Sequence, residues 1–258
     1  GSGRVHFSDG IGVPCASPAS PEREETWRKS IAIHHGMVQL MDEEIGKIIA
    51  YLKAEDMYDN TIIIFTTDHG DYIGNHGFRG KGFPAYEEVY NIPFLVKIPQ
   101  QVNSGKRSSA LMSTVDISPT ILDMAGIEVP PAMEGISQKA LFEGSTANIR
   151  TAFIIENRAV EKGFYQKMIV SQRYKAVYYY GQSYGELYDL SNDPDQYRNL
   201  WNEEAYSGLK RDMLYQLHEK NVMGDPEKNV QIDIPELLKM LDRQIEEEGP
   251  VQKRTSFS

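Results

Sequence analysis

The sequence predicts an α/β fold, part of a sandwich with a parallel-rich central sheet, followed by a small C-terminal subdomain with antiparallel sheet and helices. Three observations predict it. An amphipathic helical stretch near the start leads into a continuous β-branched run, and alternation of this kind builds sheets with helices packed on them. A second strand and a short helix follow in the same alternation. After about residue 150 the texture changes to short strand candidates joined by turns, then amphipathic helices.

Residues 1–26 are rich in Gly, Pro and Ser, with Pro14, Pro18 and Pro21, and read as an extended lead-in. From Trp27 to Leu52 the apolar positions Val38, Met41, Ile45, Ile48 and Leu52 step by three and four, with Asp42, Glu43, Glu44 and Lys47 between them. That period is an amphipathic helix. Asp59-Asn60 is a turn, and Thr61-Ile62-Ile63-Ile64-Phe65 suits a strand covered on both faces, as in a parallel sheet. Phe94–Lys97 is a second strand between Pro93 and Pro99. Ser118–Gly126 is a small helix, with Ser118 as N-cap, Pro119 at the first helical position and Gly126 as the stop.

These elements place an α/β domain over 27–150 and an α+β subdomain over 151–248. The subdomain's strands are Ala152–Glu156, Lys167–Ser171, Tyr174–Tyr180 and Glu186–Leu190, followed by helices around Glu203–Lys220 and Pro235–Glu248. Residues 249–258 read as a disordered tail.

Composition excludes several functions. The chain has 258 residues and a formal net charge of −10, and no Lys/Arg cluster forms the basic stripe a nucleic-acid binder needs. No run approaches the roughly 18–20 apolar residues that cross a bilayer. The first residues contain no apolar h-region, so they give no secretory signal, and the compartment stays open. Cys15 is the only cysteine, which excludes an intrachain disulfide framework and a cysteine-based zinc site.

The chemistry concentrates in Thr66-Thr67-Asp68-His69-Gly70-Asp71, directly after the apolar run. Ligands in α/β sheets sit beyond the carboxyl ends of strands. There a carboxylate followed by an imidazole can present one oxygen and one nitrogen to a divalent cation. The plain alternative is a pair of turn residues. The following loop, Gly74-Asn75-His76-Gly77-Phe78-Arg79-Gly80-Lys81-Gly82, combines glycines, cations and a second histidine. Such a loop can bring backbone N–H groups and a lysine to an oxyanion. Equally, Arg79 can be solvated and His76 can satisfy a loop carbonyl.

A series of segments carries a family resemblance. Asp59-Asn60-Thr61 to Thr67-Asp68-His69-Gly70, Gly74-Asn75-His76-Gly77, Lys81-Gly82, Tyr86-Glu87-Glu88 and Ile92-Pro93-Phe94 resemble a conserved block of the sulfatase family, in the alkaline-phosphatase-like superfamily. Val115–Ile127 is similar to the family's next segment, and Tyr174-Lys175 with Glu186–Pro194 and Asn199-Leu200 to its C-terminal subdomain. The matches run in family order from about residue 30 to 200. Asn91 departs from the pattern, standing where the family often has arginine.

The resemblance implies an alkaline-phosphatase-like sandwich and a sulfuric ester hydrolase with one calcium ion. It implies that Asp68 and His69 are metal ligands, that Lys81 binds and stabilises the sulfate, and that His76 is a substrate-pocket histidine. The implied substrate is a sulfated small molecule or glycan. The family's nucleophile, a formylglycine made in a Cys/Ser-x-Pro-x-Arg block, has no match here, since Cys15 is followed by Ala16-Ser17-Pro18-Ala19. The nucleophile is therefore expected in a longer parent, whose N-terminal half is a partner for this chain. Relatives are often secreted, periplasmic or lysosomal. A phosphodiesterase or phosphonate monoester hydrolase of the same superfamily is the competing enzyme reading. A non-catalytic remnant or binding module is the competing reading from another class.

Overall fold

The computed structural model of the protein describes residues 13–14, 21–82, 84–99, 105–145, 149–159 and 164–219. Cys15, the helix expected over Pro235–Glu248 and the tail lie outside the described residues. Strand β1 (Val13–Pro14) precedes helix α1 (Pro21–Ala54). The helix begins inside the expected lead-in, because Pro21 is tolerated in a first helical turn and good helix formers follow it. A one-turn 3₁₀ helix at Tyr58–Asn60 then leads into β2 (Ile63–Thr66).

After β2 come β3 (Phe78–Arg79), α2 (Glu87–Tyr90) and β4 (Phe94–Lys97). β1 pairs antiparallel with β3, and β2 pairs antiparallel with β4, Ile64 opposite Val96 and Phe65 opposite Leu95. The α/β class stands, but the parallel pairing expected for Thr61–Phe65 is not found among the described residues. A β-branched run fixes the strand and not the direction of its neighbour, and here the chain doubles back through α2. Nor is this strand pair covered on both faces: Phe65 of β2 is 37% and its partner Leu95 of β4 60% exposed.

Helix α3 (Ile117–Met124) corrects the expected cap. Its N-terminus is set by the preceding turn, where Ser113 and Asp116 form a reciprocal capping box, so Ser118 lies inside the helix and Pro119 in its third position. Gly126 does supply the stop: it adopts φ 71° and donates to Asp123 O, while Ile127 N–H donates to Leu122 O. The Asp116 carboxylate is buried and accepts from Arg150, Ser113 N–H and Ile136 N–H. A short α4 (Lys139–Phe142) follows.

The C-terminal unit is an antiparallel meander of β5 (Ala152–Ala159), β6 (Phe164–Ser171), β7 (Tyr174–Tyr179) and β8 (Gly185–Asp189), then α5 (Ser207–Glu219). Side chains alternate across a strand, so the sheet has two faces to cover. Ile169, Ala176 and Leu187 face a core with Trp201, Met213, Leu214 and Leu217. Met168 and Val177 face the other way, against Ala85 and, at the edge, Tyr90 of α2. This second contact sets the sheet against the segment that carries the candidate site.

Candidate metal and sulfate site

The chain turns at Asp68-His69-Gly70 as it leaves β2. Gly70 N–H donates to Val89 O at 2.9 Å and draws the turn against α2. A Cβ on Gly70 would lie 1.8 Å from the Glu88 carbonyl oxygen, so only glycine permits this approach. Asp68 Oδ1 accepts from His69 N–H at 3.0 Å and from the Thr67 hydroxyl at 3.2 Å, and Oδ2 lies 3.4 Å from His69 Nε2. Desolvation works against ionising Asp68, but the backbone hydrogen bonds, the imidazole and Thr67 outweigh it and hold the carboxyl below the usual carboxylate range. His69 Nδ1 lies 3.0 Å from Gly70 O. With the proton on Nδ1 donated there, the Nε2 lone pair is left for a cation or a donor.

Lys81 supplies that donor. Its Nζ lies 2.5 Å from His69 Nε2. The loop between them is closed by its backbone: Asp71 Oδ1 accepts from Ile73 N–H at 3.0 Å and Gly80 N–H at 3.1 Å, and Tyr72 N–H donates to Gly80 O at 2.9 Å. The buried Tyr72 hydroxyl donates to Pro84 O. Asp68, His69 and Lys81 thus meet in one corner.

His76 goes elsewhere. Its ring stacks on Tyr86 with centroids 3.6 Å apart and 3° between planes, and Tyr197 lies at 5.1 Å. Its Nε2 is buried, 3.6 Å from Glu88 Oε1, with no hydrogen-bond partner. His76 forms no hydrogen bond, ion pair or ring contact with Asp68, His69 or Lys81. The Arg79 side chain lies outside the described residues.

Sequence reasoning missed the residues that hold α2. Glu87 N–H donates to Gln196 Oε1 at 2.7 Å, and the fully buried Lys175 ammonium donates to Glu87 Oε1 at 2.8 Å. Burial pushes the Lys175 ammonium below its ordinary value, and Glu87 opposes that shift. A lysine inside the apolar strand expected over Tyr174–Tyr180 is the signal that could have pointed here. Gln196, buried at φ 54°, gave none.

A cavity of about 760 Å³ opens beside the corner, lined by Asp68, His69, Asn91, Ser109, Ser113 and Gln172 among others. Among the described residues no group of three His, Cys, Asp or Glu could hold a metal. An ionised, largely exposed carboxylate beside the His69 imidazole does fit part of a divalent-cation shell.

Comparison with known proteins decides the family. The sulfatase family profile matches residues 13–127, and that of the C-terminal region of N-sulphoglucosamine sulphohydrolase matches residues 74–223. The chain belongs to the sulfatase family. It is 34% identical over 189 residues to an N-acetylglucosamine-6-O-sulfatase of Bacteroides thetaiotaomicron, covering 70% of this chain and 34% of that protein. It is 31% identical over 182 residues to an arylsulfatase of Clostridium perfringens, covering 69% and 37%. A protein solved in complex with its substrate D-glucosamine-2-N,6-O-disulfate superposes with a TM-score of 0.67 at 28% identity, covering 84% of this chain and 41% of that one. A phosphonate monoester hydrolase of Agrobacterium radiobacter gives 0.66 at 27%, covering 73% and 41%. This sulfatase-family chain therefore has the alkaline-phosphatase-like fold and spans well under half the length of these relatives.

Proposed function

We propose that this chain forms the part of a sulfuric ester hydrolase that grips the cation and the sulfate group of a sulfated small molecule or glycan. The observation that carries this reading is the convergence of Lys81 with Asp68 and His69 at the end of β2. Asp68 and His69 would hold one divalent cation, calcium, through a carboxylate oxygen and imidazole Nε2. When bound, the cation supplies positive charge against the non-bridging sulfate oxygens. Lys81 then turns its ammonium from His69 to a sulfate oxygen and stabilises negative charge there. The attacking formylglycine, and further oxygen ligands for the calcium, come from the larger remainder of the family fold. His76 is proposed only as a wall of the substrate side, through its stack with Tyr86.

The same remainder is the partner we propose for α1 and the β2–β4 pair. Ile33, Met37, Leu40 and Ile48 on α1 are each more than half exposed, as is Leu95 on β4. An open two-stranded sheet is marginal without further cover. The relatives carry more than half their length beyond what this chain matches.

Titration of the 258-residue chain with calcium chloride and sodium sulfate, followed by amide shifts of Asp68–Gly70 and Lys81, tests the reading. Calcium is expected to move the first group and to lose that effect in Asp68→Ala. Sulfate is expected to move Lys81, with affinity falling about tenfold in Lys81→Met. Sulfate binding indifferent to Lys81 would overturn it. The chain alone is expected not to turn over an aryl sulfate. Assaying aryl sulfate against aryl phosphonate after adding the remainder separates the sulfatase reading from the phosphonate one.

A further inference from the structure

Resting on that reading of Lys81, we infer that the Tyr90 hydroxyl is a positioning group for the sulfate-binding loop, through which the C-terminal sheet sets where Lys81 stands. Tyr90 ends α2, and its hydroxyl donates to Gly82 O at 3.1 Å, the carbonyl directly after Lys81. It accepts from Asn157 Nδ2 at 3.1 Å and Gln166 Nε2 at 3.4 Å. A phenol has one hydrogen to give and two lone pairs to fill, so these three partners complete it.

The two donors come from a rigid frame. Asn157 on β5 and Gln166 on β6 are direct partners in the sheet register, so their amides stand side by side. Gln166 is fully buried, and the Tyr90 ring packs on the face formed by Ala85, Met168, Val177 and Tyr179. The Lys175 ammonium lies 5.3 Å from the ring centroid. Burial pushes the phenol above its ordinary value, although the Asn157 and Gln166 hydrogen bonds pull the other way, so the group stays a donor to Gly82. With both lone pairs occupied, its hydrogen has one direction left.

Lys81 is thereby held from both sides. Gly80 is fixed by Asp71 and Tyr72, within the loop itself. Gly82 is fixed by Tyr90 from the C-terminal sheet. The same short helix accepts Gly70 N–H at Val89 O, so the Asp68-His69 turn and the Lys81 loop hang from adjacent residues of α2. Removing the Tyr90 hydroxyl should free the lysine side of the corner and leave the Asp68-His69 side in place.

Tyr90→Phe in the full chain tests this, because it keeps the ring. Backbone hydrogen exchange at Gly80 and Lys81 is expected to accelerate about fivefold, while Met168 and Ile169 stay protected. The sulfate dissociation constant is expected to rise about fivefold and the calcium constant to stay within about twofold. A purely structural role would lower the melting temperature and leave both local exchange and the sulfate affinity of the folded protein unchanged, and that result overturns the inference. If the wild-type chain shows no Lys81-dependent sulfate binding, the proposed function fails, and the exchange measurement still decides the role of Tyr90. Should Tyr90→Phe not fold, Asn157→Ala keeps the phenol and removes one of the donors that aim it. It is expected to move the same amides by about twofold, and no movement would count against the inference.

Discussion

Strand β6 and helix α1 both carry large apolar side chains, and they end in opposite environments. Met168, Ile169 and Val170 are at most 5% exposed, whereas Ile33, Leu40 and Ile48 are at least 60% exposed. The sheet β5–β8 is covered on one face by α5 and on the other by the α2 segment, so the alternating side chains of β6 are enclosed on both faces. Helix α1 meets the rest of the chain along one edge, where Ile45, Ile49 and Leu52 are half-buried. At 1.5 Å per residue its 34 residues extend roughly 50 Å, and most of the described side chains along it are exposed. The C-terminal unit thus carries its own core, whereas α1 with β2–β4 leaves large apolar side chains exposed. The candidate site lies where the two regions meet.

Breaking the joint between them should cost most. Glu87→Gln leaves the fully buried Lys175 ammonium without its counter-charge. Urea unfolding is expected to show a loss of about 3 kcal/mol, and Lys175→Met in the same chain to recover part of it. Within the C-terminal core, Leu214→Ala leaves a cavity beside Trp201 and Met213, with an expected cost of about 3 kcal/mol in the same measurement.

A smaller effect tests the electrostatics of the well-packed region. The Arg173 guanidinium beside Asp189, with help from Asn192, holds the Asp189 carboxyl at about 2. A carboxyl depressed in the folded state adds stability that is present above its unfolded value, about 3.9. That contribution is lost as pH falls from about 4 towards 2. Asp189→Asn is expected to remove about 1–2 kcal/mol at pH 7 and to flatten stability across that window. The smallest change is expected on α1. Ile48→Ala should alter the stability of the chain by less than about 0.5 kcal/mol; a loss like that of Leu214→Ala would mean that this face is covered after all.

Much of the architecture was legible in local pattern. The strand at Phe94–Lys97 falls where its flanking prolines put it, and the four strands of the C-terminal sheet lie within a few residues of their alternating stretches. Gly126 ends α3 because a left-handed residue is needed there. Asp68, His69 and Lys81 were legible because a strand end followed by a glycine-rich basic loop brings such groups together. His76 was not placed by that logic: a stack on Tyr86 depends on where α2 packs, which the loop's composition does not encode. Tyr90 and Gln196 owe their roles to partners from distant stretches of chain, and single-residue patterns carry no trace of such pairings.

The sequence by itself determined the periodicities, the turn chemistry and the family of this protein, since each rests on neighbours along the chain. Tertiary structure alone decided that β2 runs antiparallel to β4, that the apolar arc of α1 is left open, and that one four-residue helix joins the Asp68-His69-Lys81 corner to the C-terminal sheet. Strand direction, face coverage and long-range hydrogen bonds are set by how elements meet in space. Hydrophobic free energy is indifferent to which apolar surface provides the cover, and only the packed arrangement makes that choice.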